Sequence, residues 1–331
     1  MSAHAQLLPD GRRLHLQHGP IDLVIEAFGA PAAVADAYRR AVARFPTILP
    51  ELVAELEILR RPLPPLPSGE GRGEGRHRAA ASAGNLARRF PSPARLRAPP
   101  SPDGRGEAAV TGPVARRMIE ACWPYRDVFV TPMAAVAGAV ADEMLGALIA
   151  AGDLARAYVN NGGDIALHLA QGERLTAGLV ADIADPALHG MIALDAALPV
   201  RGLATSGWRG RSFSRGIADA VTVLARTSAE ADAAATMLAN AVDIDHPAVR
   251  RAPAASLRQD SDLGDLLVTV AVGALPPAAR AAALAGGARV AARLVARDLI
   301  HGAVLVLQGD TIVVPDGLAA LTDGSLRESA A

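Results

Sequence analysis

The chain is predicted to adopt an α+β fold with mixed or antiparallel sheets and packed helices. Three observations carry that reading. Several long segments place apolar residues three and four apart, as amphipathic helices do. Other short segments are apolar in alternation or throughout, as strands are. These come in runs of strands and runs of helices, not in the strict alternation of a parallel βαβ sheet. With 331 residues, 51% of them hydrophobic, the chain can also bury a sizeable core.

The elements follow in order. "RRLHLQHGPIDLVIEAFG" (12–29) alternates around His18-Gly19-Pro20 and reads as a hairpin. "PAAVADAYRRAVARF" (31–45) and "PELVAELEIL" (50–59) read as two helices. Residues 1–60 form the first part of the domain. From 61 to 112 the chain is rich in Pro, Gly, Ser and Arg and repeats "GRGE" at 71–74 and 104–107. Such a stretch has too little apolar surface to offset its ordering entropy, so it is expected to be a disordered insertion. The main part of the domain spans 113–316, and 317–331 is expected to be a flexible tail. Within the main part, helices are predicted in "PVARRMIEACWPY" (113–125) and in the small-residue stretch 134–152. Strands follow at 156–161, 164–169, 174–182, 190–196, 202–207 and 219–225. A helix at 228–242 opens with Thr227 and Glu230 in capping-box spacing. A strand at 266–273, Ala-rich helices from Pro276 to about Ile300 and a hairpin at 303–314 close the domain.

Composition excludes several chemistries. Net charge is −1, which favours neither nucleic acid nor an anionic membrane. Every one of the 33 basic residues is arginine, so Schiff-base chemistry and a lysine-bearing phosphate loop are ruled out. Cys122 is the single cysteine, so no intrachain disulfide or cysteine-based zinc cluster can form. The N-terminal residues lack an apolar signal core, and the longest apolar run is broken by Asp142 and Glu143, which gives the expectation of a cytoplasmic protein.

The most informative stretch is "YVNNGGDIALHL" (158–169). Its Asn-Gly-Gly-Asp centre reads as a tight turn, because glycines supply the positive φ that a reversal needs. It reads equally as a corner where backbone approaches a phosphate and Asp164 faces a cation. Asp232 and Thr236 pose a similar choice. They lie four apart on one helix face; they either complement the helix dipole and pack among alanines, or offer oxygen to a hard cation. Asp142 and Glu143, inside an apolar helix, need partners if buried, and Asp142 is expected to face the cleft.

Four segments, "AAVAGAVADEML", "YVNNGGDIAL", "LATSG" and "DAVTVLARTSAEADAAATMLANAV", together resemble the ApbE-like superfamily, whose characterised members are magnesium-dependent FAD:protein FMN transferases. The run "WRGRSFSRGIADAVTVLA" is most similar to that superfamily's bacterial and archaeal UPF-type branch. The resemblance implies an ApbE-like fold, Mg²⁺ held by Asp232 and Thr236, and FAD as substrate or ligand. It implies that Asn161, Gly162, Gly163 and Asp164 approach the dinucleotide and that Thr205, Ser206 and Gly207, with Ala204, form another wall. Ser212, Ser214 and Arg215 would add substrate contacts, and Trp208 would cover a ring.

Two departures bear on the reaction. Ala137 stands where the transferases have a lysine, and "SFSRGIADA" replaces their His-Ile-Ile-Asp-Pro segment, with Asp219 as the nearest aspartate. The expected function is therefore a flavin or nucleotide transferase or an FAD pyrophosphate-cleaving enzyme, or else a non-catalytic flavin-binding protein. A nucleotide, an acceptor protein and a second copy of the chain are the partners compatible with it. His168 and the remaining histidines show no metal-ligand spacing and read as structural.

Overall fold

The computed structural model describes residues 2–64, 110–150, 152–180, 188–316, 318, 321 and 322. Its centre is a nine-stranded sheet whose neighbouring strands all run antiparallel. In chain order these strands are β1 (His4–Leu7), β2 (Leu14–His18), β3 (Ile21–Gly29), β4 (Leu154–Asn161) and β5 (Asp164–Leu169). A small sheet of β6 (Arg174–Val180) and β7 (Leu188–Asp195) intervenes before β8 (Gly202–Ser206) and β9 (Ala220–Ala225). After the short pair β10 (Val249–Pro253) and β11 (Leu267–Val272), β12 (Gly302–Leu307) and β13 (Asp310–Val314) complete the edge. The order across the large sheet is β1-β2-β3-β4-β5-β8-β9-β12-β13, and β14 (Leu321–Thr322) pairs with β7.

Both faces of the sheet's middle are covered, which is why β9 reads "AVTVLA" and is buried at every position. The two-residue period assigns the faces. Ala166, Ala204 and Val223 point into the main core with the helices. Leu167, Leu203 and Leu224 point the other way, against Ile192 and Leu194 of the small sheet.

The helices that cover the first face are α1 (Pro31–Ala54), α2 (Leu56–Leu59), α3 (Pro113–Cys122), α4 (Val136–Ile149), α5 (Ser228–Ala241) and, after a single turn α6 (Ala254–Leu257) that packs on β10, α7 (Pro277–Ala296). Where the sequence predicts two helices in 31–59, α1 runs unbroken through Pro46 and Pro50. Each proline removes a backbone donor. The buried stripe Ala37, Ala41, Phe45, Ile48 and Leu52 holds the helix on the core across both. The Ala-rich region after Pro276 is likewise one helix, not several. β1, β10, α6 and β14 were not predicted from the sequence; β10, "VRRAP", carries no apolar alternation.

Of the insertion expected at 61–112, residues 65–109 lie outside the described residues. Its described ends are held: Leu63 N donates to Val130 O at 2.9 Å. The Glu55 carboxylate accepts from Thr111 N at 2.6 Å and from Gly112 N at 3.1 Å, at the start of α3. The tail expected at 317–331 lies almost wholly outside the described residues as well. The stretch Pro132–Ile149 is long and apolar enough to cross a membrane by composition alone, yet half of it is buried inside the fold.

α4 and α5 are locked by a reciprocal arrangement. The Asp142 carboxylate on α4 accepts from Ser228 N at 3.0 Å and Ala229 N at 2.9 Å, the unpaired donors of the first turn of α5. In return Asp232 on α5 accepts from Gly138 N at 3.0 Å and from Ala137 N, in the first turn of α4. The backbones approach so closely that a Cβ on Gly138 would lie 2.3 Å from Ser228 O. Thr227 adds its own cap, its hydroxyl accepting from Glu230 N at 3.2 Å. Asp142 is thus a helix cap and does not line the cleft described below. Glu143 beside it is clamped between Arg44 at 2.9 Å and Arg117 at 3.1 Å, tying α4 to α1 and α3.

Burial pushes the Asp142 carboxyl up to about 6, against the Ala229 and Ser228 N–H groups that favour its charge. An unfolded aspartate titrates near ~3.9, so the folded chain binds the extra proton between those values. Stability from this group is complete at low pH and declines as pH rises through about 6. Asp142→Ala, which orphans two buried N–H donors, should lower stability in urea unfolding by roughly 1–3 kcal/mol. Asp142→Asn should flatten the decline between pH 4 and 6, and an unaltered slope would show that another group causes it.

Candidate functional site

A cleft of about 1010 Å³ opens between two walls. One wall is the C-terminal part of α1, α2 and residues 129–140; the other is the β4–β5 turn, the end of β8, the loop 210–215 and the loop 258–263. Its floor is the face of α5 that carries Asp232, Thr236 and Asn240.

The glycine corner is both things the sequence left open. Asn161 and Asp164 are directly paired across the hairpin, with Gly162 and Gly163 at φ +65° and +110° between them, and Asn160 Oδ1 accepts from Gly163 N at 2.9 Å. The corner is a tight turn, and its Asn161, Gly162 and Asp164 line the cleft. Asn161 is fixed by a 3.0 Å hydrogen bond from Nδ2 to Ala137 O, so the turn and the first turn of α4 are held together.

The cleft also reaches Thr205, Ser206, Gly207, Ser212, Arg215, Asp232 and Thr236, which come from elements far apart in sequence. The Thr205 and Thr222 hydroxyls share a hydrogen bond at 2.8 Å. Gly163 and Ser214 are not among the lining residues. Gly163 N is turned into the hairpin onto Asn160, and Ser214 is buried, its hydroxyl donating to Asn240 Oδ1 at 3.3 Å and accepting from Gly216 N. Gly163 and Ser214 shape the loops that bear their neighbours. Trp208 also stays out of the cleft, donating from Nε1 to Asp219 at 3.2 Å; Asp219 further accepts from Gln308 N and so staples the loop to β12–β13. His168 is hydrogen-bonded to Leu154 O at 3.2 Å and is structural, as expected.

Asp164 and Asp232 are the electrostatic centre of the site. Both carboxyls are raised above the usual carboxylate range, chiefly by withdrawal from water; the charge of Asp232 raises Asp164 further, while hydrogen bonds from Gly138 and Ala137 oppose the rise at Asp232. Two like charges brought together in a low-dielectric floor favour a proton or a cation between them. With the Thr236 hydroxyl one turn further on, the donor set is oxygen only, which suits a hard divalent cation and no soft metal. Among the described residues, no group of three or more His, Cys, Asp or Glu side chains forms a metal cluster, so such an ion would complete its shell from ligand and water.

Sequence reasoning missed the apolar half of the cleft. Leu49, Leu52, Leu59, Phe129, Val130 and Met133 line it together with the carboxylates. The α1 residues were legible as a helix stripe, but the loop that brings Phe129 to them was not. It also missed the strap formed by loop 258–263, which is tied across by Thr131 to Asp262 and by Arg60 to Asp260 at 3.1 Å.

Comparison with known proteins places the chain in a family. A family model described as AbpE bacteria matches residues 5–93 and 76–313. A UPF0280 protein of Methanothrix thermoacetophila is 40% identical over 134 residues, covering 40% of this chain and 54% of the relative. A UPF0280 protein of Methanopyrus kandleri is 39% identical over 142 residues, with 42% and 54% covered. The chain therefore spans about half the length of the curated relatives it matches.

The half-buried carboxylate pair has a measurable consequence. Asp164→Asn keeps an acceptor for Thr205 N and removes a poorly hydrated charge. In buffer with EDTA it should raise the thermal midpoint, more at pH 8 than at pH 5, because only at the higher pH does the wild-type pair bear the cost of ionisation. A gain independent of pH would mean that the carboxylates do not repel each other.

Proposed function

The chain belongs to the family described as AbpE bacteria, and from that premise we propose that its cleft binds FAD or a related diphosphate together with Mg²⁺ and cleaves or transfers across the pyrophosphate. The observation that carries this reading is the convergence of Asp164, Asp232 and Thr236 with the Gly162 corner and the Thr205-Ser206 wall in one cleft that also has an extensive apolar lining. A flavin dinucleotide has the same division: phosphates that need a cation and N–H or hydroxyl donors, and a large ring that needs apolar walls.

Asp232 and Thr236, with Asp164 beside them, would hold the cation, and the ion's part is to neutralise charge on the bridging and leaving phosphate oxygens. The chain's own residues position the ligand. Gly162 lets the phosphates approach the backbone, and Ser206 and Ser212 offer hydroxyls along the same wall. The apolar lining excludes water from the ring side. The residues that line the cleft include neither cysteine nor histidine. The attacking hydroxyl would come from the acceptor or water, and a cleft carboxylate such as Asp164 would take its proton.

That missing imidazole, together with Ala137, supports a second reading: a protein that binds the flavin intact and serves a cofactor pathway. One experiment separates the two. The purified chain is incubated with FAD with and without Mg²⁺ and the products are resolved by mass spectrometry. AMP release that requires Mg²⁺ and falls at least ~100-fold in Asp232→Asn, the scale of one lost charge-stabilising group, supports the enzyme. FAD bound with Mg²⁺ and recovered intact supports the carrier. FAD that neither binds nor reacts overturns both. Asn is the substitution of choice because its carbonyl can still accept from Gly138 N, so loss of function is not loss of the α4 cap.

A further inference from the structure

Arginine is this chain's only strong base, and most arginines in the described residues are spent on carboxylates: Arg13 on Asp10, Arg39 and Arg40 on Asp36, Arg44 on Glu51, Arg251 on Asp243, Arg280 on Asp310. Three that line the cleft are not. Arg211, Arg215 and Arg258 are exposed at its mouth, and among the described residues none of them forms an ion pair. Arg211 and Arg258 are steadied by neutral neighbours, and Arg215 feels the Asp243 carboxylate without forming an ion pair with it. Arg211 Nη2 donates to Pro20 O at 3.2 Å. The Arg258 guanidinium stacks 5.2 Å from the centre of the Phe213 ring. The Arg215 backbone N–H is pinned on Asn240 Oδ1 at 2.8 Å.

Arg211 is also aimed. Its Nη1 lies 3.3 Å from where a Cβ on Gly162 would be, so the guanidinium overlooks the glycine corner across the space that a side chain would fill. The cleft thus has Asp164 and Asp232 inside and, at its rim, three guanidiniums without an ion pair among the described residues, while the neighbouring Asp260 and Asp262 are engaged by Arg60 and Thr131. A neutral ligand would gain nothing from that polarity, and a simple monoanion would use one end of it.

We propose that Arg211, Arg215 and Arg258 form an anion subsite at the mouth that selects diphosphates, gripping from outside the phosphate oxygens that the floor cation neutralises from inside. The inference rests on the reading of the cleft as a diphosphate site and adds the residues that set its preference for two linked phosphates over one or none. Guanidiniums suit the task because their fork meets two phosphate oxygens at once. Their position at the exposed rim adds long-range attraction, so binding should weaken with added salt.

The test compares wild type with Arg211→Gln, Arg215→Gln, Arg258→Gln and the triple variant, all checked for a native thermal transition. Binding of inorganic pyrophosphate, FAD, FMN and riboflavin is measured by calorimetry and flavin fluorescence in the presence of Mg²⁺. Each single substitution should weaken pyrophosphate and FAD by about tenfold, the scale of one charge-assisted contact. Riboflavin should bind the triple variant as it binds wild type. The triple variant should also lose most of the KCl dependence of FAD binding.

Unchanged pyrophosphate and FAD affinity in the triple variant overturns the subsite, and if Asp232→Asn still weakens both, the diphosphate reading itself stands. Equal weakening of riboflavin and FAD also overturns it, since the arginines would then only shape the mouth. Pyrophosphate that binds wild type and not the triple variant upholds the subsite even if FAD proves not to be the ligand. Wild type that binds neither pyrophosphate nor FAD removes both the subsite and the reading beneath it.

Discussion

The exchange of caps between α4 and α5 is the contact on which the rest of the molecule depends. Asp142 holds the first N–H groups of α5, Asp232 holds those of α4, and Gly138 lets the two backbones meet. Each helix end would otherwise leave buried donors unpaired. The same contact sets the site: it fixes Asp232 on the cleft floor, and through Ala137, whose carbonyl receives Asn161 and whose N–H faces Asp232, it sets the β4–β5 turn and Asp164 beside it. Structure and proposed chemistry therefore share one carboxylate. Asp232 has enough fixed donors around it to be held in place and enough repulsion from Asp164 to be receptive to a cation.

What the sequence disclosed follows the range of the interactions involved. The Asn-Gly-Gly-Asp turn and the Thr227 cap are contacts between residues two to four apart, and both were legible. The apolar character of 219–225 marked a strand; that both its faces are covered came from the tertiary structure. Strand order was not legible beyond hairpins, because β8 inserts between β5 and β9 after the excursion through the small sheet. Pro46 and Pro50 misled for a physical reason: local rules price two lost hydrogen bonds, while the decision to continue α1 is made by Phe45, Ile48 and Leu52 in the core.

The site divides in the same way. Asn161, Gly162, Asp164, Thr205, Ser206, Asp232 and Thr236 lie within short patterned segments, and the fold gathers them on one cleft. Arg211, Arg258, Phe129 and Phe213 enter from loops whose approach is set by tertiary structure alone, and no local pattern marked them. Asp142 shows the converse. A charged residue in an apolar helix looked like site chemistry, but its partners lie 86 and 87 residues away in the first turn of another helix. A buried carboxylate needs donors, and helix N-termini are the commonest supply.

The account's central claim is that a divalent ion held at Asp232 touches the phosphates of a bound diphosphate. The direct measurement is ³¹P line broadening of FAD bound to the protein, with Mn²⁺ in place of Mg²⁺ as a paramagnetic reporter. Strong broadening of both phosphorus signals in the wild-type complex, abolished in Asp232→Asn while the flavin remains bound, is the result the account predicts. Sharp phosphorus lines in a wild-type complex that holds both FAD and Mn²⁺ would place the ion away from the phosphates and contradict it.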